Sequence, residues 1–247
     1  MRLTIIGCGD AFGAGGSLQT SFHVRSEPST FLIDCGASSL IGMRRLGLEP
    51  NDIDTVFVTH LHGDHFGGLP WLLIDAQYLS KRRRPLIVTG PKGIKARFVT
   101  AAEALYPGIT TAKPGFELTF VEYEERKPLE VSGVTVIPFE VRHPSGAPPY
   151  ALRFELEGKV LAFTGDTGWV DTLFQVARGA DLFISECFQY DVTLPIHLDY
   201  TTIDANYQGL GAKRVLLTHM GEAMLSKAGK VDPSRYLIAE DGMTLDL

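Results

Sequence analysis

A chain of 247 residues with 45% hydrophobic and 21% charged side chains can bury a sizeable core and is too apolar for a disordered chain. No apolar run approaches the roughly 20 residues of a membrane helix, and a formal net charge of −6 gives no global basic field for nucleic acid. Three cysteines, Cys8, Cys35 and Cys187, without a Cys-x-x-Cys spacing fit reduced, buried thiols rather than a disulfide framework. The apolar stretch at the N-terminus is too short for a signal peptide, so the expected location is the cytoplasm.

In chain order, runs rich in Val, Ile, Leu and Phe predict strands near 2–8, 21–26, 30–34 and 55–59, with helices near 38–46 and 68–80. A strand at 86–89 and a helix near 92–105 follow. The second half predicts strands near 116–122, 130–141, 150–156 and 159–164, and a helix near 169–178. Strands at 181–185 and 214–217, a helix at 201–210 and a last strand near 243–246 complete the pattern. Two strand-rich halves without a linker predict one domain over residues 1–247, an α+β (αββα) sandwich of two sheets packed face to face with helices outside.

The run His60-Leu61-His62-Gly63-Asp64-His65 places four strong metal ligands within six residues, just after the strand-like Thr55–Thr59. Alternate side chains of an extended backbone share a face. His60 and His62 can therefore converge on one cation, while Asp64 and His65, beyond the Gly63 turn, face a second. His143, Asp166 and His219 each follow a strand-like run, so they can meet that cluster at one sheet edge. Imidazoles and carboxylates in such a set suit zinc, iron or manganese, and a shared carboxylate can bridge two cations.

Other residues read less sharply. Asp34 serves either as an acceptor for a ligand imidazole or as a turn cap before Gly36. His23 reads as a surface or packing residue. Gly7-x-Gly9 lacks the third glycine of a dinucleotide loop, with Phe12 in its place and no helix pattern after it. Lys81-Arg82-Arg83-Arg84 reads as a solvated connection between helix and strand ahead of a polyanion contact.

His-x-His-x-Asp-His, the distant His143, Thr164-Gly165-Asp166-Thr167 and Thr218-His219 resemble the metallo-β-lactamase-fold hydrolases over nearly the whole chain. Within that superfamily, Gly7-Cys8-Gly9, Leu32-Ile33-Asp34-Cys35-Gly36, Gly90-Pro91-Lys92-Gly93 and the extra His197 look most like the ribonuclease Z and cyclic phosphodiesterase branch. The glycine-rich stretch Asp10–Ser17 is similar to a loop that lies near the metal pocket in ribonuclease Z.

The resemblance implies two packed mixed sheets flanked by helices, and two divalent metal ions, zinc ahead of manganese or iron. His60, His62 and His143 would hold the first, Asp64, His65 and His219 the second, and Asp166 would bridge them. His197 would be general acid or transition-state stabiliser, with Asp64 in the catalytic set and Glu186 orienting His197. In that branch Glu186 corresponds to the Glu of a Glu-Ala-Thr-like segment, from which Cys187 departs. A homodimer is also implied. Ribonuclease Z carries a long arm for tRNA between the counterparts of His143 and Asp166, but only 22 residues intervene here. The expected partner is thus a small or cyclic phosphodiester, not a structured RNA or a membrane. The alternatives are carboxyl-ester, lactone or thioester hydrolysis on the same metal pair, a ribonuclease Z-like RNA endonuclease, and a non-catalytic metal-binding scaffold.

Overall fold

The computed structural model describes residues 1–112 and 114–247. The first sheet is built from β1 (Arg2–Gly7), β2 (Ser21–Arg25), β3 (Thr30–Ile33), β4 (Thr55–Phe57), β5 (Leu86–Gly90) and β6 (Leu118–Glu122). The second holds β7 (Leu129–Val131), β8 (Val134–Glu140), β9 (Tyr150–Leu156), β10 (Lys159–Phe163), β11 (Leu182–Glu186), β12 (Val215–Thr218) and β13 (Tyr236–Ile238). The last strand, β14 (Thr244–Asp246), returns to the first sheet, beside β1.

Each sheet opens as an antiparallel meander and continues as parallel strands. Parallel neighbours need crossover connections. Those of the first sheet are α1 (Ser39–Arg45), α2 (Gly63–Phe66), α3 (Leu69–Ile74) and α4 (Ile94–Leu105), and those of the second are α5 (Thr172–Ala177), α6 (Tyr200–Ala205), α7 (Tyr207–Leu210) and α8 (Glu222–Leu225).

The two-residue period of the strands divides the apolar side chains between three cores. Phe31 and Ile33 of β3, Phe57 of β4, and Leu182 and Ile184 of β11 face the layer between the sheets. Leu32, Val56 and Val58 point outward to the helices of the first half, and Phe183 and Leu217 to those of the second. Between the sheets, the Phe31, Phe57 and Phe154 rings meet at centroid distances of 5.1–5.5 Å, and Phe22 packs edge-on against Phe163 at 5.2 Å. Each such contact joins one sheet to the other or braces a ring that does.

The expected sandwich is present, with local corrections. The single strand expected over 130–141 is a hairpin, β7 and β8, turning at Ser132-Gly133; both residues have positive φ (51° and 75°), as a type I′ turn requires. Val131 before the turn and Val134, Val136 and Ile137 after it hid it. The helix expected over 68–80 is α3 followed by a π-helical turn, Asp75–Leu79, and α2, α8 and β13 were not anticipated. Of the two readings of His23, surface or packing, its burial on β2 bears out the second.

The basic run is not simply solvated. Arg82 is buried and donates to the carbonyls of Pro50, Asn51, Ile53, Arg84 and Pro85, while Arg84 pairs with Asp54. Lys81, Arg83 and Arg84 are all exposed, so Arg82 is the one residue of the run turned inward.

Phe154 is fully buried at the centre of the ring trio. Phe154→Ala should therefore lose about 3–5 kcal/mol of stability, the range for a truncated core phenylalanine, measurable as a lowered urea midpoint. A loss under about 1 kcal/mol would mean that the rings do not hold the sheets together.

Candidate metal centre

The chemistry-bearing side chains sit at or just beyond the carboxyl ends of strands on one edge of the sandwich, where ligands of open α/β sheets collect. His60 and His62 follow β4, and the chain then turns into α2, whose first residues carry Asp64 and His65. His143 follows β8, Asp166 follows β10, Glu186 ends β11 and His219 follows β12.

Two close approaches of backbone make this convergence possible. A Cβ on Gly36 would lie 2.3 Å from the Asp64 carbonyl oxygen, and one on Gly168 would lie 2.2 Å from that of Pro195. Only glycine lets the Asp34 turn pack under α2, and the His197 segment pack against the strand end that bears Asp166.

The structure brings all seven expected ligand residues together. Ligand atoms of His60, His62 and His143 lie within 4.8 Å of one another, as do those of Asp64, His65, Asp166 and His219. Asp166 stands between the two groups. One of its oxygens is 3.2 Å from His65 Nε2, and the other is 3.9, 3.8 and 3.4 Å from Nε2 of His60, His143 and His219. His219 Nε2 is also 3.3 Å from Asp64 Oδ2.

The far sides of the imidazoles are anchored in the protein. His65 Nδ1 donates to Asp34 at 2.7 Å, and His143 Nδ1 donates to the Ile196 carbonyl at 2.9 Å. His60 Nδ1 meets Thr59 Oγ1 at 3.1 Å, and that hydroxyl donates to Asp34. These bonds occupy Nδ1 and direct Nε2 of each ring into the cluster. Asp34 thus contacts an imidazole as well as the Thr59 N–H. Asp34 and His219 both hold left-handed backbone, with φ of 58° and 55°. Such positions cost energy and persist where surrounding contacts enforce them.

The residues fit divalent cations. Among the described residues, His60 Nε2, Asp166 Oδ1 and His219 Nδ1 are buried without a hydrogen-bond partner. Burial lowers His60 and His143 and keeps them neutral, as ligands must be. Burial would raise the Asp64 carboxyl, but His65 and a hydrogen bond from His219 hold it well below the usual range. Burial would likewise lower His219, yet Asp166 and Asp64 bring it up to about 9. Ligation there displaces a proton.

Beside the cluster, His197 Nδ1 donates to both oxygens of Glu186, at 3.1 and 3.2 Å. Glu186 is fully buried and also accepts the Thr167 N–H at 2.6 Å. Burial works against a charged imidazole, but the bond to Glu186 and its charge raise His197. The three cysteines are free and buried.

A cavity of about 220 Å³ opens onto the cluster, lined also by Ala11, Phe12, Pro144, Phe188 and Ile196. The sequence argument did not single out Thr59, Ile196 or Phe188. Thr59 and Phe188 each adjoin a residue that it did name; the Ile196 contact is a backbone carbonyl, which side-chain type does not reveal.

Comparison with known proteins agrees with this geometry. A ribonuclease Z from Geobacillus kaustophilus is 28% identical, the match covering 86% of this chain and 87% of the relative. The crystal structure of the metallo-β-lactamase fold protein YhfI from Bacillus subtilis superposes with a TM-score of 0.81 at 22% identity, covering 99% of both chains. A diphosphatase from the PhnP family gives a TM-score of 0.78 at 20% identity, over 100% of this chain and 97% of its own. Residues 1–241 match the family described as Anti-Pycsar protein Apyc1, and the chain belongs to that family, within the metallo-β-lactamase-fold metal-dependent hydrolases.

Proposed function

We propose that this protein is a binuclear-metal phosphodiesterase acting on small or cyclic phosphodiesters. The observation that carries the reading is the His197–Glu186 pair at the rim of the seven-ligand cluster. A thiolate leaves without help from a strong acid, so thioester hydrolysis has little use for such a pair, whereas an alkoxide leaving phosphorus needs one.

His60, His62 and His143 would hold one ion, Asp64, His65 and His219 a second, with Asp166 shared. Zinc suits the mixed imidazole and carboxylate set. Bound cations would lower the pKa of water and neutralise charge on phosphoryl oxygens. Asp34, Thr59 and the Ile196 carbonyl keep the ligand imidazoles in register. With Nδ1 held by Glu186, His197 has Nε2 left to protonate the departing oxygen, and the buried carboxylate stabilises the charged imidazole until it does.

The ribonuclease Z relative raises RNA as a second substrate. Two observations favour the small one. The alignment to that relative runs over 275 positions, longer than this whole chain, so the relative carries stretches with no counterpart here. The connection from His143 to Asp166 is taken up by β9, β10 and short loops. The reading also places the protein in the cytoplasm; no helix among the described residues is long and apolar enough to cross a membrane.

Three outcomes test it. Elemental analysis of reconstituted protein should find close to two transition-metal ions per chain, and Asp166→Ala should lose more than one of them, because that carboxylate touches both groups. A single ion in the wild type would refute the binuclear reading.

His197→Ala should retain the metals yet slow hydrolysis roughly 10²–10⁴-fold, the range for a general acid, with a smaller loss for nitrophenyl esters. Glu186 raises His197, which must hold its proton to act. Activity on alkyl esters should therefore fall as pH rises through that pKa, and Glu186→Gln should start the fall at lower pH. An unmoved alkaline limb would remove Glu186 from the mechanism.

Finally, 2′,3′- or 3′,5′-cyclic nucleotides should be opened while a precursor tRNA stays uncut at physiological salt. Specific 3′-end cleavage of the RNA would overturn the choice of substrate.

A further inference from the structure

The loop Asp10–Ser17 is built rigidly around a side chain that touches little of the protein. Asp10, itself buried, accepts the N–H groups of Phe12 and Ala14 through one oxygen at 3.0 Å each. Gly16 N–H donates to the Gly13 carbonyl at 2.9 Å, Gly15 N–H to Glu222 at 3.2 Å and Leu18 N–H to Asp241 at 2.7 Å. Gly13 and Gly15 take left-handed φ of 70° and 64°. The backbone is therefore fixed from both ends without help from the Phe12 ring. That ring is 83% exposed, the most exposed large apolar side chain among the described residues, and it stands at the lip of the metal cavity.

Resting on the phosphodiesterase reading, we infer that Phe12 is the stacking platform for the aromatic base of a nucleotide-type phosphodiester. The cavity, at about 220 Å³, is smaller than the roughly 300–1,000 Å³ of pockets that enclose a whole ligand. A phosphate and its sugar fill such a space, and whatever else the substrate carries must lie at the lip. Phe188, the other aromatic wall, is already packed against His197 at 4.8 Å. Phe12 is the ring left free. A flat π-face on a preorganised loop loses little entropy on binding and accepts any base, because every base has a π-face. Its contribution is to binding and not to the chemical step, so it belongs in KM rather than kcat.

The test compares wild type, Phe12→Ala, Phe12→Leu and Phe12→Trp, all metal-loaded, on a 3′,5′-cyclic nucleotide and on ribose 2,3-cyclic phosphate, which lacks a base. Truncating a ring that is exposed removes no core contact, and equal thermal midpoints check that folding is kept. Phe12→Ala should raise KM for the nucleotide roughly 5- to 100-fold, the range for one lost base stack, with kcat within about twofold. Phe12→Leu should behave like Phe12→Ala, and Phe12→Trp like wild type. The base-free ester should be indifferent to all three.

Calorimetric binding of a nucleoside 5′-monophosphate against ribose 5-phosphate gives a readout without turnover. If no cyclic ester is opened but Phe12→Ala still weakens nucleotide binding alone, the phosphodiesterase reading fails and the stacking role stands. An unchanged nucleotide affinity in Phe12→Ala, an equal loss for the base-free ligand, or a wild type with no preference for the nucleotide overturns the proposal.

Discussion

Asp166 carries a negative charge into the interior, and five of the seven histidines have a ring nitrogen within 4.0 Å of it. Burial pushes its carboxyl up, but the imidazoles of His219, His65 and His60 hold it far below the ordinary range. An unpaired carboxylate at 2% exposure would be untenable, and imidazoles crowded at 4.1–4.9 Å between ring centres would repel one another if all were charged. The arrangement persists because the two kinds of group offset each other. A bound cation would take over the rings' positive role: it would displace the proton that His219 holds and leave neutral rings beside ionised carboxylates, the forms that ligate.

Holding that balance requires that no ring rotate away. Each anchoring bond comes from a different element: Asp34 at the end of β3, Thr59 after β4, the Ile196 carbonyl from the segment before α6. His219 is set by its own N–H, which donates to the Cys8 carbonyl at 2.8 Å. These anchors are fixed in turn by the layer of phenylalanines between the sheets, since β3, β4 and β10 each contribute a ring to it. The centre is therefore as rigid as the core behind it. Interiors at crystal-like density transmit a displacement rather than absorb it.

The clustering of the seven His and Asp residues and the sandwich were legible because both follow from short periodicities. Strand runs announce themselves by apolar content, and ionisable residues placed just past such runs, as with Thr218-His219, have few structural reasons to be there. What escaped depends on pairing between distant segments or on the backbone. β14 joins β1 through contacts 240 residues apart in sequence, such as Thr4 with Thr244, and nothing local to either strand records that choice. The hairpin at Ser132-Gly133 lay between two stretches that read together as one strand. Arg82 looked like its basic neighbours, yet it serves as an internal clamp on five carbonyls, a role set by where the chain folds rather than by residue type.

The same topology bears on substrate size. β9 and β10 are interior strands of the second sheet, joined by a tight turn at Glu157-Gly158 with φ of 52° and 69°. Every residue of that stretch is therefore committed to the ladder or to closing it. The loop from His143 to β9 is also held short, by Ser145 Oγ donating to the Ala147 carbonyl and by the Val141 N–H donating to Pro149. An excursion long enough to grip a folded RNA would have to break one of these pairings. With Arg82 buried and Arg84 paired to Asp54 at the surface, the run near Lys81 offers few unpaired cations to replace such an arm. Polyanion affinity grows with the number of phosphates contacted, which is why the substrate proposed for a site with one charged centre and an apolar lip carries a single phosphate and a flat, uncharged end.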